Sequence, residues 1–297
     1  MNKIKAHALK TGIPLIGFCA PGLPDDGKRL DEWLEKGCEA GMAFMRKNVQ
    51  VRKGEYPLLP GQKTVIICGF PYPCRDISRP IAPYGLLRDY HAVVGVRLAE
   101  LETFIRALAP ECRTRAFVDT LPVMERAYAG KAGLGAIGKN TMLINPGCGS
   151  SLFLGGIMTD LEIEPDFPDS RDICGSCRKC IEACPTGALS EYRLDARRCL
   201  SYHTIENRGD LPADIRQAMG KRAFGCGICE KVCPLNRPVV KEDPEWGFQR
   251  EIAESGLDGL LEKAEKGFRR YFGKTPVCRT GRKRFMRNLR IAVGNEA

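Results

Sequence analysis

The sequence predicts a mixed α/β (α+β) domain over residues 1–165, a cysteine-rich metal-binding domain over 166–245, and a short, basic helical tail over 246–297. Three observations predict it. Apolar residues recur first at helical and then at strand spacing through the first half of the chain. Eight cysteines follow, seven of them in two closely spaced groups, and the last fifty residues return to helical periodicity with a surplus of Arg and Lys.

The elements follow in order. MNKIKAHALKTGIPLIGFCA resembles an export signal, but its apolar part (Ile13 to Cys19) is short and broken by Pro14, so it reads as a helix followed by a buried strand. Lys28 to Ala40 places Leu30, Trp33 and Leu34 at helical spacing, and KTVIICGF (63–70) is a short apolar run like a buried strand. Tyr90 to Leu108 is the clearest helix, and RAFVDT (115–120) reads as another strand. Pro122 then opens a helix, VMERAYAGKAG, that ends at glycine. EPDFPDSRD (164–172), rich in Pro and Asp, marks a boundary.

Composition narrows the function. At 43% hydrophobic and 28% charged, without an apolar run of membrane-spanning length, the chain has the make-up of a soluble cytoplasmic protein. A net charge of +10, from 46 Lys+Arg against 36 Asp+Glu, suits a polyanionic partner without requiring one. Fifteen cysteines without an export signal point to metal or cluster binding rather than to disulfides.

The cysteines specify the cofactor. Cys174, Cys177, Cys180 and Cys184-Pro185 have C-x2-C-x2-C-x3-C-P spacing; Cys199 follows, and then Cys226, Cys229 and Cys233-Pro234. Short x2 turns converge three thiolates on one cubane, and the Cys-Pro step sends the fourth toward a second cluster. The crossed pattern assigns Cys174, Cys177, Cys180 and Cys233 to one [4Fe–4S] cluster, and Cys184, Cys199, Cys226 and Cys229 to the other. Two zinc sites are the alternative, but zinc does not require seven clustered cysteines with two Cys-Pro endings. Cysteines 19, 38, 68, 74, 112, 148 and 278 are scattered and read as packing or surface residues.

Two other patterns mislead. Gly133, Gly135 and Gly138 spell G-x-G-x-x-G, yet they follow a helical segment rather than a strand, and no acidic residue stands where a ribose partner belongs. They read as tight turns or as close backbone approach to a bulky flat ligand. RDYHAVVG (88–95) approximates the D-x-H-x-x-G of histidine-ligated cobalamin proteins, but its glycine comes one residue late. His91 is therefore no evidence of a cobalt ligand, and capping or packing at a helix start is the alternative.

Taken together, AFVDTLPVMERAYAGKAGLGAIGKNTMLI (116–144), the two-cluster segment, RRCLSYHTIENRG (197–209), YGLLRDYH (84–91) and GRKRFMRNLRIAVGN (281–295) resemble the epoxyqueuosine reductase family, in order and over nearly the whole chain. The resemblance implies a cobalamin-binding first domain, a bacterial-ferredoxin-like domain with two [4Fe–4S] clusters, and reduction of the epoxide of epoxyqueuosine at the wobble position of tRNA. It implies cobalamin, base-off or without a protein histidine ligand, reduced to Co(I), with Asp119 of the VDT motif as proton donor. Asp119 is expected in surroundings apolar enough to raise its pKa, while Thr120 caps the following helix. By position in matching segments, Arg52, Tyr84, Lys139, Asn145, Gly155, Thr159 and Ser201 are the implied corrin contacts.

The implied partners are tRNA bearing epoxyqueuosine and an external donor of ferredoxin or flavodoxin type, with no membrane association and a monomeric state. The family commonly continues into a helical-repeat domain that helps to hold tRNA, whereas this sequence runs to Ala297. Its Arg279, Arg282, Lys283, Arg284, Arg287 and Arg290 are either phosphate contacts or a solvated face, with Phe285, Leu289 and Ala292 toward the core. Ala136 and His203 replace the family's usual tryptophan and leucine. The alternatives are a related corrinoid reductase of a small molecule and a two-cluster electron carrier.

Overall fold

The computed structural model describes residues 3–73, 80–168, 172–236 and 243–296. Cys74 and part of the predicted 164–172 boundary lie outside the described residues. The first half contains helices α1 (Lys3–Lys10), α2 (Pro24–Glu35), α3 (Val49–Arg52), α4 (Tyr90–Leu108) and α5 (Glu125–Lys131). Its strands are β1 (Leu15–Cys19), β2 (Thr64–Pro71), β3 (Thr114–Phe117), β4 (Ala136–Ile137), β5 (Leu143–Ile144) and β6 (Leu152–Thr159). The cysteine segment holds α6 (Lys179–Glu182), the hairpin β7 (Leu189–Ser190) and β8 (Arg193–Leu194), then α7 (Leu200–Ile205), α8 (Ala213–Met219) and α9 (Ile228–Lys231). Helices α10 (Arg250–Glu254), α11 (Leu257–Phe272) and α12 (Arg282–Gly294) close the chain.

A four-stranded sheet of order β1-β2-β6-β3 organises the first half, and its pairings are antiparallel. Strand β2 is apolar from Val65 onward because both faces are covered. Ile66, Cys68 and Phe70 pack with α1 and α4 through Ala8, Val94, Leu98 and Ile105, whereas Val65 and Ile67 pack with Tyr128 and Ala129 of α5. Each such fully buried aliphatic side chain contributes about 1.5–3 kcal/mol. Successive side chains of a strand point to opposite faces, so one run of residues joins both layers.

Strand β6, the partner of both β2 and β3, had no signal in the sequence. Its Gly155 and Gly156 mask it, and both are there for space. A Cβ on Gly155 would lie 3.0 Å from Phe117 O and Val94 Cγ1, and one on Gly156 would lie 2.3 Å from Ile66 O. The glycine-rich 133–138 stretch follows α5 and runs into the β4–β5 hairpin, so it has neither the preceding strand nor the following helix of a dinucleotide turn. Gly133 and Gly135 take φ of +76° and +156°, and a Cβ on Gly135 would sit 2.3 Å from Ile144 O.

The tail is an integral part of the fold. Phe285, Leu289 and Ala292 are buried, in a core shared with Ile81, Leu86 and Phe224. Much of its basic surface is engaged internally. Arg284 donates to Ile205 O and Glu206 O, and Arg287 to His203 O and Asn207 O, which satisfies the open carbonyls at the end of α7. Among the described residues, no helix is long and apolar enough to cross a membrane.

Candidate active site

Strand β3 ends at Phe117, and the chain then turns sharply at Asp119. The Thr120 amide donates to Val118 O at 2.5 Å across Asp119, which has φ of +53°. This is the geometry of a γ-turn, sparsely populated for a non-glycine residue and kept only where the surroundings enforce it. The turn pushes the Asp119 carboxylate into a cleft of about 920 Å³ lined by Arg52, Asp89, His91, Glu125, Arg126 and Arg279, among others.

Three groups hold that carboxylate. Tyr90 donates to Oδ2 at 2.9 Å, Arg279 pairs with the same oxygen, and His91 Nε2 stands 3.5 Å away, an ion-pair distance. Tyr90 is itself stacked on Phe153 with ring centroids 4.6 Å apart. Asp89 caps α4 by accepting the His91 N–H at 2.9 Å, and its Oδ1 lies 2.8 Å from His91 Nδ1. His91 therefore bridges two carboxylates, and Asp119 followed by Asp89 lift its pKa from 6.5 to about 9. For Asp119, burial pushes upward, but His91, Arg279 and Tyr90 outweigh it and hold the carboxyl well below the usual range. The expectation of an apolar, pKa-raising site for Asp119 is corrected: the site is polar, and its neighbours favour an ionised Asp119 carboxylate and a protonated His91.

The cysteines of the segment fall into two overlapping electrostatic neighbourhoods. Burial raises the Cys180 thiol, and the charges reinforcing it are those of Cys174 and Cys233; for Cys233 they are Cys174 and Cys177. Burial likewise raises Cys199, reinforced by Cys184, and Cys226, reinforced by Cys199 and Cys184. Cys229 is raised by burial, then by Glu230, Cys226, Cys199 and, across the divide, Cys180. Packing of α6 on α9 brings the halves of the segment together. Sulfur acceptors are engaged too, with Lys139 N 3.4 Å from Cys174 Sγ and Ala188 N 3.3 Å from Cys184 Sγ.

Tyr84 links the second neighbourhood to the cleft. Burial raises its pKa, and its charged neighbours are Glu230, Cys199, Cys226 and Arg279. Ser201 lies one residue inside α7, whose first turn follows Cys199, and its hydroxyl bonds the Cys199 sulfur.

The expected corrin contacts divide. Arg52 lines the cleft, and its Nε is buried without a hydrogen-bond partner, as is Oε1 of Glu125, which lines the same cleft. A second cleft of about 1030 Å³ shares Asp26, Arg29, Met45, Met124, Arg126, Ile137, Thr141 and Tyr192 with the first, so the two form one trough that reaches the cysteine segment at Gly187–Asp195. The trough's size, with unmet polar atoms beside apolar Met45 and Ile137, suits a large flat ligand carrying polar side arms.

Gly155 and Thr159 are corrected. Gly155 faces α4 inside the sheet, and Thr159 is fully buried, its hydroxyl accepting from Leu161 N at 3.1 Å. Neither is available to a ligand. Lys139 Nζ is bonded to Gly175 O at 2.8 Å, and the Asn145 amide to Leu134 O at 2.7 Å, so both side chains brace the chain.

Residues 173–236 match a 4Fe-4S double cluster binding domain, and residues 52–120 match the epoxyqueuosine reductase QueG family. An epoxyqueuosine reductase of Xanthomonas campestris pv. campestris is 36% identical over 99% of this chain and 86% of its own length. The chain belongs to the epoxyqueuosine reductase family. The crystal structure of one such reductase, with an epoxyqueuosine-modified tRNA-Tyr stem loop, superposes with a TM-score of 0.91 at 32% identity, over 99% of this chain and 80% of that one. An epoxyqueuosine reductase from Bacillus subtilis, with its catalytic aspartate loop swung out of the active site, gives 0.90 at 31% identity over the same shares.

Within this family fold, the groups around Asp119 that sequence reasoning missed are Tyr90, Arg279 and Glu125. Tyr90 and His91 stand side by side in the RDYH motif, whose sequence suggests a cobalt ligand, a cap or packing but gives no sign of contact with Asp119. Arg279 was counted with the basic tail, and nothing in the sequence indicates that the turn before α12 folds back onto β3.

Proposed function

We propose that the chain reduces the epoxide of epoxyqueuosine in tRNA to the alkene of queuosine, with Asp119 as the acid facing the substrate. Both carbon–oxygen bonds break, a carbon–carbon double bond forms, and the oxygen leaves as water. Two electrons from an external ferredoxin- or flavodoxin-type donor and two protons balance the change. Two [4Fe–4S] clusters, on Cys174, Cys177, Cys180 and Cys233 and on Cys184, Cys199, Cys226 and Cys229, would supply single electrons, and cobalamin in the trough the nucleophile that opens the strained ring. Arg52, Met45, Ile137 and Thr141 would hold the corrin, with Tyr84 and Ser201 on the side of the second cysteine set.

The protein's own groups manage the protons. Arg279 and Tyr90 fix the Asp119 carboxylate in the cleft, and the His91 imidazolium stands 3.5 Å from it as the source from which it is charged. An alkoxide and then a hydroxide are poor leaving groups unless protonated, so an acid at this point is worth about 10²–10⁴ in rate.

The single observation that carries the proposal is the strained turn at Asp119, which presents a carboxylate and its proton source to the trough beside the Cys199–Cys226 neighbourhood. Asp119→Asn keeps the shape and removes the acid. The expected result is loss of epoxyqueuosine reduction with corrin and iron content intact. Full activity in that variant would overturn the assignment.

A further inference from the structure

Deoxygenation consumes two protons, while Asp119 with His91 offers one poised donor. The same cleft carries a second carboxyl. Glu125 opens α5, and its Oε1 is buried with no hydrogen-bond partner, although the cleft holds Arg52 and Arg126. An ionised carboxylate so placed ordinarily recruits such a neighbour, because an unpaired buried charge is costly. A neutral acid tolerates the position.

The charged groups facing Glu125 are Arg52 on α3, Asp119 on the preceding turn and Arg126 on its own helix. Burial dominates and raises the carboxyl to about 7. The Asp119 charge adds to the rise, while Glu125 N–H, Arg126 and the Asp119 backbone N–H pull it down. Arg52 is itself half-buried, and desolvation lowers its pKa, though the guanidinium stays charged at neutral pH.

We propose that Glu125 is the second acid of the cleft, holding one of the two protons the reaction consumes and delivering it to the departing oxygen. The inference rests on the epoxide-reduction reading. The oxygen gains one proton by way of Asp119 on opening and one from Glu125 on leaving, so that water departs; Asp119 is recharged through His91, and His91 and Glu125 take their protons from solvent. Asp119 and Glu125 line the same cleft, and the Asp119 backbone N–H meets the Glu125 carboxyl.

The sign of the pH dependence follows. An acid that must be protonated is lost as pH rises, so kcat of the wild-type protein falls as pH climbs through about 7. Glu125→Gln keeps size and shape but cannot titrate. In the protein reconstituted with clusters and cobalamin and assayed on an epoxyqueuosine-bearing anticodon hairpin, it should lower kcat by about a hundredfold or more. Its KM should stay within about twofold, and the fall near pH 7 should vanish. Glu125→Asp should recover part of kcat together with a pH limb.

A second readout is independent of turnover. Infrared difference spectra between pH 6 and pH 8 should show a protonated carboxyl band in the wild-type protein that is absent from Glu125→Gln. An active wild-type protein whose Gln variant keeps kcat within about twofold and the same pH profile would overturn the inference and leave the epoxide reading standing. Absence of the carboxyl band would also overturn it. A wild-type protein inactive on the hairpin would overturn the functional reading, and the role of Glu125 with it.

Discussion

The bridge Asp89–His91–Asp119 makes a prediction that can be worked from distances. Its perturbation is Asp119→Asn. His91 is a third exposed, lies 2.8 Å from one carboxylate and 3.5 Å from the other, and titrates at about 9 against an ordinary 6.5. Removing one charge from a pair this accessible to solvent costs the imidazolium about 1 kcal/mol. At about 1.4 kcal/mol per pH unit, the His91 midpoint should fall by somewhat less than one unit, to a value still above 6.5 because Asp89 remains. The chain has only three histidines, so carbon-labelled imidazole resonances can be assigned with a single His91→Gln variant. His203 provides an internal contrast, because burial holds its pKa below 6.5. The stability linkage has a definite sign. A histidine with a raised folded-state pKa contributes fully below about 6.5 and loses that contribution as pH rises through about 9. A His91 midpoint at or below 6.5 in the intact protein, or one unmoved by Asp119→Asn, would refute the bridge as a proton store.

Two other perturbations test separate parts of the account. Cys174→Ser and Cys233→Ser should each reduce cluster iron by about half, and the double variant should lose no more than either alone, whereas Cys226→Ser with Cys233→Ser should remove nearly all of it; iron analysis and electron paramagnetic resonance distinguish the outcomes. Gly155→Ala forces a methyl to within 3.0 Å of Phe117 O and Val94, an overpacking that costs about 1–3 kcal/mol, so the thermal midpoint should drop by about 2–10 °C while the folded protein keeps its corrin content.

Local patterns were legible where one force dominated. The helix expected at Tyr90–Leu108 has those bounds, and all of KTVIICGF but Lys63 lies in β2, because long periodic or continuously apolar runs leave little choice of layer. The helix expected from Pro122 begins at Glu125 instead, because the strained Asp119 turn and its sequel occupy the intervening residues. β6 was invisible because glycines that serve close packing look like turn residues. The cysteine segment was legible as a double-cluster domain because its short intervals stand in the sequence itself, and residues 173–236 match such a domain. The corrin contacts were poorly legible at Gly155 and Thr159, where matching a segment gave no information about which side of a strand faces the ligand. Arg279 was illegible for a different reason: it reaches Asp119 from 160 residues away in sequence. Long-range closure of that kind leaves no local pattern.

The central claim is tested most directly under anaerobic conditions. The reconstituted protein, a low-potential donor and a tRNA hairpin carrying epoxyqueuosine are incubated, and the released nucleosides are weighed by mass spectrometry. The account predicts a product lighter by one oxygen atom, formed by the wild-type protein and absent with Asp119→Asn. An unchanged nucleoside, in a sample with both clusters reduced and corrin bound, would contradict it.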